Sequence, residues 1–568
     1  MSFAWRMLGC AANWLACAKY TAPTLLNFPS TLAYPFRAGF RTAQSIGGVF
    51  TGMRNVSSHT RRRAAAASLL LLAGILVISK TVWGQFSPPA PSNQRFIPNG
   101  TSFLNLAGAS QTYSTAGGGI DQSGLFFQSL GTNGRSCGSC HQPSDGMSVS
   151  ALHAQLRFDL TGGTDPIFRT VDGSNCDHNI DVSTLRGRSS AYSLLRTRGL
   201  IRIAIAVPPG ADYAITAVTN PYGCDETSTI SQYRRPLPAT NLRFLSAVMF
   251  DGRESTPLTG TTKIVAGNYP TALQSDLAHQ SVDATVEHAQ GDGTRPTPAE
   301  QQQIVNFEMA LFTAQSYGFL TGPLNTAGAN GGPMPLASLP FFISINSSVH
   351  ALLPNGAEQP GGLVTPGDGQ FTSNIFELYD AWSKLPSYDF RASVARGQAI
   401  FNTRPINITG VAGINDDVSD GGLDAGGIPS LTGTCGTCHD TPAIGDHSFP
   451  TPLNIGTGDP GPSNSQLNLG GLDISYLPRI TVCQLVNGLP GGTCKTTSDL
   501  GQALIDGKFA HVGKIKGPIL RGLSARAPYF HNGSAQTLLD VVRFYENRFA
   551  LVLTRQDEID LVNFLSAL

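Results

Sequence analysis

Residues 136–141 read SCGSCH and residues 434–439 read TCGTCH. A Cys-x-x-Cys-His pentad sets two thiols and an imidazole where all three can address one porphyrin. The sulfurs add across its two vinyl groups, and the adjacent ring takes the iron as proximal ligand. The other uses of such a pentad are a zinc knuckle and a thioredoxin-like redox pair. Two copies in one chain, the first followed by QPSDGMS rather than by the core of a helix, favour covalent haem. Cys137, Cys140 and His141 are thus the expected attachment set of one haem c, and Cys435, Cys438 and His439 that of a second. His141 and His439 are the expected iron ligands.

The rest of the chain must position these pentads. Its 568 residues suffice for two or three hydrophobic cores. Lys plus Arg and Asp plus Glu each number 38, so no basic field calls for nucleic acid and no acidic tail for a basic partner. Gly (63) and Pro (37) are frequent, yet 41% of residues are hydrophobic, which reads as loop-rich globular structure rather than disorder. Near the N-terminus, Arg61, Arg62 and Arg63 precede an apolar run, 64–79, and Gly84 follows Val82 at the spacing of a small-residue cleavage site. That is the layout of a secretory signal, and it predicts a periplasmic protein. The run is shorter than the roughly 20 residues of a bilayer span, and Lys80 closes it; the chain meets a membrane only if this leader is retained. The first 52 residues fit no export signal, so Met53 is the expected start, with the signal over about 53–84 and a leader spanning 1–84 in all.

Export fixes the reading of the other cysteines. Cys10 and Cys17 fall in the leader, while Cys176, Cys224, Cys483 and Cys494 are spare. In an oxidising compartment they most simply form two disulfides, paired by proximity as Cys483–Cys494 and Cys176–Cys224; the alternative is a second metal site.

An extended linker (85–94) leads to a first domain (95–320). It closes on the helical TPAEQQQIVNFEMALFTAQ, where Thr297 and Glu300 make a capping box and Pro298 takes the first helical position. Ile304, Val305, Phe307, Leu311 and Phe312 give that helix its apolar face. A Gly/Pro-rich connection (321–370) precedes the second domain (371–568). The latter opens with FRASVARGQAIFN and ends in two helices, the last capped by Thr554 and Asp557 with Ile559, Val562 and Leu565 at helical spacing. Strand-like alternation is scarce, so the expected fold is mainly α.

One longer stretch, GPILRGLSARAPYFHNGSAQTLLDVVRFY (517–545), closely resembles the P-x-LRN…TAPYFHDGS…TLEE block of bacterial dihaem cytochrome c peroxidases and of the MauG-like enzymes that mature a tryptophan-derived cofactor. RGQAIFN (397–403) and MFDGRES (249–255) match the same family. The resemblance covers most of 95–568, is specific at the pentads and at 517–545, and is loose between 155 and 240. It implies two cytochrome c-like domains, each wrapping one covalent haem, with calcium as a further ion. It also implies a small redox protein as electron donor and hydrogen peroxide or oxygen as the molecule reduced.

The chain departs from that family at three places. Phe250 stands where the family has a tryptophan before Asp-Gly-Arg, thought to relay electrons between the haems. The segment carrying the family's distal glutamine and acid is expanded to DLAHQSVDATVEHAQ (276–290). There Gln280 matches the glutamine, Glu287 and His288 compete for the acid–base place, and His153 is the other group able to cap the first iron. The chain has no methionine after Met334 to act as sixth ligand of the second iron. His511 takes that place in the expected site, with His447 and Lys514 behind it. The expected activity is peroxide reduction by an exported dihaem cytochrome. The alternatives are a dihaem oxygenase, of the kind known from rubber oxygenases, a cofactor-maturing oxidase, or a non-enzymatic electron carrier.

Overall fold

The computed structural model describes residues 95–245, 247–255, 271–341, 346, 372–415, 430–447, 452–459 and 472–568. The leader, and most of the 321–370 connection beyond Phe341, lie outside the described residues. Among the described residues no helix is long and apolar enough to cross a membrane.

The expected mainly-α fold is corrected. The architecture is mixed α/β, about 32% helical and 20% strand among the described residues, with several antiparallel sheets. Strands β2 (Ser102–Asn105), β3 (Gly108–Ser114), β8 (Leu311–Gly318) and β9 (Gly322–Pro323) form one four-stranded sheet in the order β2-β3-β8-β9. Strands β6 (Tyr213–Thr219), β12 (Arg479–Val486) and β13 (Leu489–Thr497) form a second, in the order β13-β12-β6. Three two-stranded pairs complete the set among the described residues: β1 (Phe96–Pro98) with β4 (Gly119–Asp121), β5 (Ile201–Ala206) with β7 (Thr229–Arg234), and β10 (Ile406–Thr409) with β11 (Ser430–Gly433). Among the described residues six helices exceed two turns: α1 (Ala151–Thr161), α2 (Thr271–Glu287), α3 (Pro298–Met309), α4 (Phe390–Thr403), α5 (Leu538–Phe549) and α6 (Arg555–Ser566).

The strands escape sequence reading because they are short and chemically mixed. β3 is GASQTYS and β13 is LPGGTCKTT, neither showing the apolar alternation that marks a half-buried strand. The clearest single correction lies at the end of α3. Its capping box and Pro298 are present, but the helix stops at Met309, and Leu311–Gly318 becomes β8. Leu311 and Phe312 are buried as expected, but from a strand paired with β3. At the C-terminus the Thr554–Asp557 box is present. Leu565 is buried as expected, but Ile559 is exposed, and Leu561 and Phe564 complete the buried stripe.

The segment Gln94–Leu568 is one compact unit. The halves expected as separate domains interlock: β12 of the second pairs along its length with β6 of the first. Arg234 on β7 binds Asp499 at 2.7 Å and Asp251 at 2.5 Å, all three side chains buried. A buried charge that loses its partner costs about 3–5 kcal/mol, so this triad couples the halves strongly. Both expected disulfides, Cys176–Cys224 and Cys483–Cys494, are formed; the second lies across the β12–β13 hairpin. Phe376, Tyr379, Trp382, Phe401 and Phe564 build the main core of the C-terminal half, and truncating one such ring costs about 3–5 kcal/mol.

Candidate active site at the first pentad

Each pentad is a single helical turn, Cys137–Cys140 and Cys435–Cys438. The residues flanking and within it cap it in the same way: Ser139 Oγ accepts from the Ser136 amide at 3.0 Å, and Thr437 Oγ1 from the Thr434 amide at 2.9 Å. The glycine after each first cysteine is required by close approach. A Cβ on Gly138 would lie 2.3 Å from Phe127 Cδ1, and one on Gly436 2.5 Å from Ile375 Cγ1. The chain then turns so that the residue six past each histidine, Met147 (φ 59°) or Gly445 (φ 70°), adopts the left-handed conformation. Its carbonyl accepts from the imidazole: His141 Nδ1 donates to Met147 O at 2.9 Å, and His439 Nδ1 to Gly445 O at 2.6 Å. This fixes the tautomer and leaves Nε2 of each ring as the free basic nitrogen, as an iron-ligating histidine needs.

The thiols fit a thioredoxin-type redox role poorly. Cys137, Cys140, Cys435 and Cys438 are unpaired, whereas the other four described cysteines are disulfide-bonded. Burial pushes Cys137, Cys435 and Cys438 up to about 12 and raises Cys140 as well. A thioredoxin-type pair needs a stabilised thiolate, the opposite condition. Burial also lowers both pentad histidines, keeping them neutral and able to ligate.

Cys137, Cys140 and His141 line one cavity that opens to solvent. Leu242, Val248, Phe250 and Leu277 supply apolar wall for a porphyrin. Helix α2 presents Leu277, Gln280 and Ala284 to the cavity, and His288 follows just past its end, three to four residues apart along one face. Gln280 and His288 are therefore brought together with His141. Glu287 is exposed and lies off the cavity, pointing with the helix's solvent side. His153 does not line the cavity either: its Nδ1 is bound by Asp145, which raises its pKa.

His288 is held by residues that sequence reading missed. Its Nδ1 donates to Asp172 Oδ2 at 2.6 Å, and Arg135 pairs with the other oxygen of Asp172. Arg135 is itself anchored on the carbonyls of Pro166 (2.8 Å) and Ile167 (2.5 Å). Burial pushes the Asp172 carboxyl up, but the His288 hydrogen bond and the Arg135 guanidinium outweigh it and hold it below the usual range. The carboxylate so placed fixes the His288 tautomer and leaves Nε2 to exchange a proton. Glu308, on α3, also lines the cavity; it is buried, its Oε2 has no hydrogen-bond partner, and burial pushes it up to about 8. Only a glutamate within an otherwise apolar helix face hinted at it.

The second pentad has other company. Phe401 and Tyr545 stand 6.1 and 6.4 Å from the His439 ring. Asp440, Thr441, Asp446 and His447 are buried beside it. His447 Nδ1 lies 3.4 Å from Asp440 Oδ2, and its charge acts on His439. Burial pushes Asp446 up to about 7 against the pull of Lys516. His511 is buried with Nδ1 2.5 Å from Asp506 Oδ2, packed beside Phe509 and Val512 of the cluster around β6 and β12; Lys514 is buried too. A carboxylate on Nδ1 leaves Nε2 of His511 as its basic nitrogen.

Phe250 belongs to the first site. It lines the cavity, its carbonyl accepts from the Lys516 amide at 2.7 Å, and its ring meets that of His531 edge-on at 5.9 Å. Phe530, next in the chain, stands 6.4 Å from Tyr545. No protein-family model matches the chain, and no curated protein matches it.

Proposed function

We propose that this is an exported dihaem c-type cytochrome that reduces hydrogen peroxide with electrons from a small redox protein. The observation that carries the reading is the grouping of His141, Gln280 and the Asp172–His288 pair around one cavity. Bound through Cys137 and Cys140, a haem would supply the iron that takes peroxide and passes it electrons. The chain's own residues do the rest. His288 moves a proton from the near to the far oxygen, the transfer that O–O cleavage requires. Asp172 holds His288 in the tautomer with Nε2 free, and Gln280 offers an amide to orient the bound molecule. The second haem, on Cys435, Cys438 and His439, is the entry point for electrons. The ring series Phe250, His531, Phe530 and Tyr545 supports a route between the sites.

Phe250 favours a second reading. A phenyl ring is far harder to oxidise than the tryptophan of the resembling family, so a dihaem oxygenase or cofactor-maturing oxidase on the same scaffold is the alternative.

The test is peroxide consumption by the exported protein with a reduced donor. His288→Ala should slow turnover by about 10²–10⁴ with haem content unchanged, and Asp172→Asn less. Peroxide-inert wild type that consumes oxygen instead would establish the alternative.

A further inference from the structure

Off the cavity, Glu254, His279 and Asp283 form a separate cluster of ligand-type side chains. His279 and Asp283 are four apart on α2, so the helix turns both to one face. Glu254 reaches them from the loop closed by the bridge between Val248 and Glu254. His279 Nδ1 lies 2.9 Å from Glu254 Oε2 and 3.7 Å from Asp283 Oδ2, and the three donor atoms are all within 4.8 Å of one another. Tetrahedral donors at about 2.0–2.1 Å from an ion stand roughly 3.3 Å apart, and the two measured edges bracket that spacing.

Burial points the same way: the Glu254 side chain is only 2% exposed, and a carboxylate so far from water calls for cationic partners. Asp276, buried one turn earlier on α2, adds a third carboxylate acting on His279. His279 (47% exposed) and Asp283 (42%) leave the ion a path from solvent.

We propose that Glu254, His279 and Asp283 bind one divalent transition-metal ion of the zinc class, independently of both pentads. One imidazole with two carboxylates selects such ions over calcium and magnesium, which take oxygen donors. The site's place gives it a task. The cavity face of α2 carries Gln280 and leads to His288, while the Glu254 loop carries Met249, Phe250 and Arg253 to the same cavity. An ion joining Glu254 to α2 staples these two walls and steadies His288.

The experiment uses the air-oxidised holoprotein, stripped with a chelator and dialysed against zinc chloride, with iron and zinc counted separately. Wild type should hold one zinc beyond its iron at about micromolar free zinc or below. His279→Asn, at an exposed position that leaves the core intact, should weaken zinc at least tenfold without changing haem content, and Glu254→Gln should do the same. His178→Ala, beside the Cys176–Cys224 disulfide, should change nothing. Zinc should slow amide exchange across 271–287 in wild type but not in His279→Asn. The proposal is overturned by wild type holding no zinc beyond its iron, by equal zinc in His279→Asn, by loss of zinc in His178→Ala, or by calcium displacing the zinc.

Discussion

The two pentads share their attachment geometry and differ in what surrounds it. Both are one capped turn with a glycine under a packed side chain, and both present an imidazole tied by Nδ1 to a carbonyl six residues on. Around the first, a cavity holds Gln280, His288 with its carboxylate, and an unpartnered Glu308. Around the second, Phe401 and Tyr545 flank the ring, and Asp440, Asp446 and His447 are packed in. The same pentad can thus be set in different company: among the described residues, a cavity with an imidazole–carboxylate pair adjoins the first, and aromatic rings with buried acids adjoin the second.

The shared half of that comparison breaks most sharply when the attachments go. Wild type should carry an added mass of about two haems, roughly 1.2 kDa from the pentad chemistry. Replacing Cys435 and Cys438 by Ser should halve it, as should replacing Cys137 and Cys140; a single-haem wild type would end the parallel. A smaller effect is expected from packing. Gly138→Ala and Gly436→Ala each force a methyl against a neighbouring side chain, and should lower stability by about 1–3 kcal/mol in urea unfolding. Equal stability to wild type would mean that Phe127 and Ile375 yield freely.

The smallest effect sharpens the difference between the sites. Burial raises the Glu308 carboxyl to about 8, from an ordinary glutamate value of about 4.5. The unfolded chain loses this proton first, so wild-type stability should fall as pH climbs from about 4.5 to about 8 and level off above. Glu308→Gln should flatten that part of the profile and be the more stable protein at pH 9. An unchanged slope would show that Glu308 ionises as freely in the folded protein as outside it.

What was legible in the sequence is local chemistry. The pentads, the Thr297 and Thr554 capping boxes and the Cys483–Cys494 pair each act within a dozen residues, so spacing alone reveals them. The sheets were not legible, because β6 finds β12 some 265 residues on and β3 finds β8 about 200 on. Leu311 and Phe312 fit a helix face or a strand equally; pairing with β3 decides. The site divides the same way. Gln280 and His288 stood out by resemblance, whereas Asp172 meets His288 across 116 residues and carries no local signature. Glu287 looked equivalent to its neighbour His288, yet one step along the helix turns it to solvent.

Electron paramagnetic resonance of the oxidised protein tests the unequal-sites account most directly. It should show two distinct ferric species, one altered by added cyanide and one six-coordinate and indifferent to it. His511→Ala should turn the second high-spin and leave the first unchanged, since the Asp506-bound ring is the expected sixth ligand there. A single ferric species, or two low-spin signals that neither cyanide nor peroxide alters, would contradict the account and leave an electron carrier.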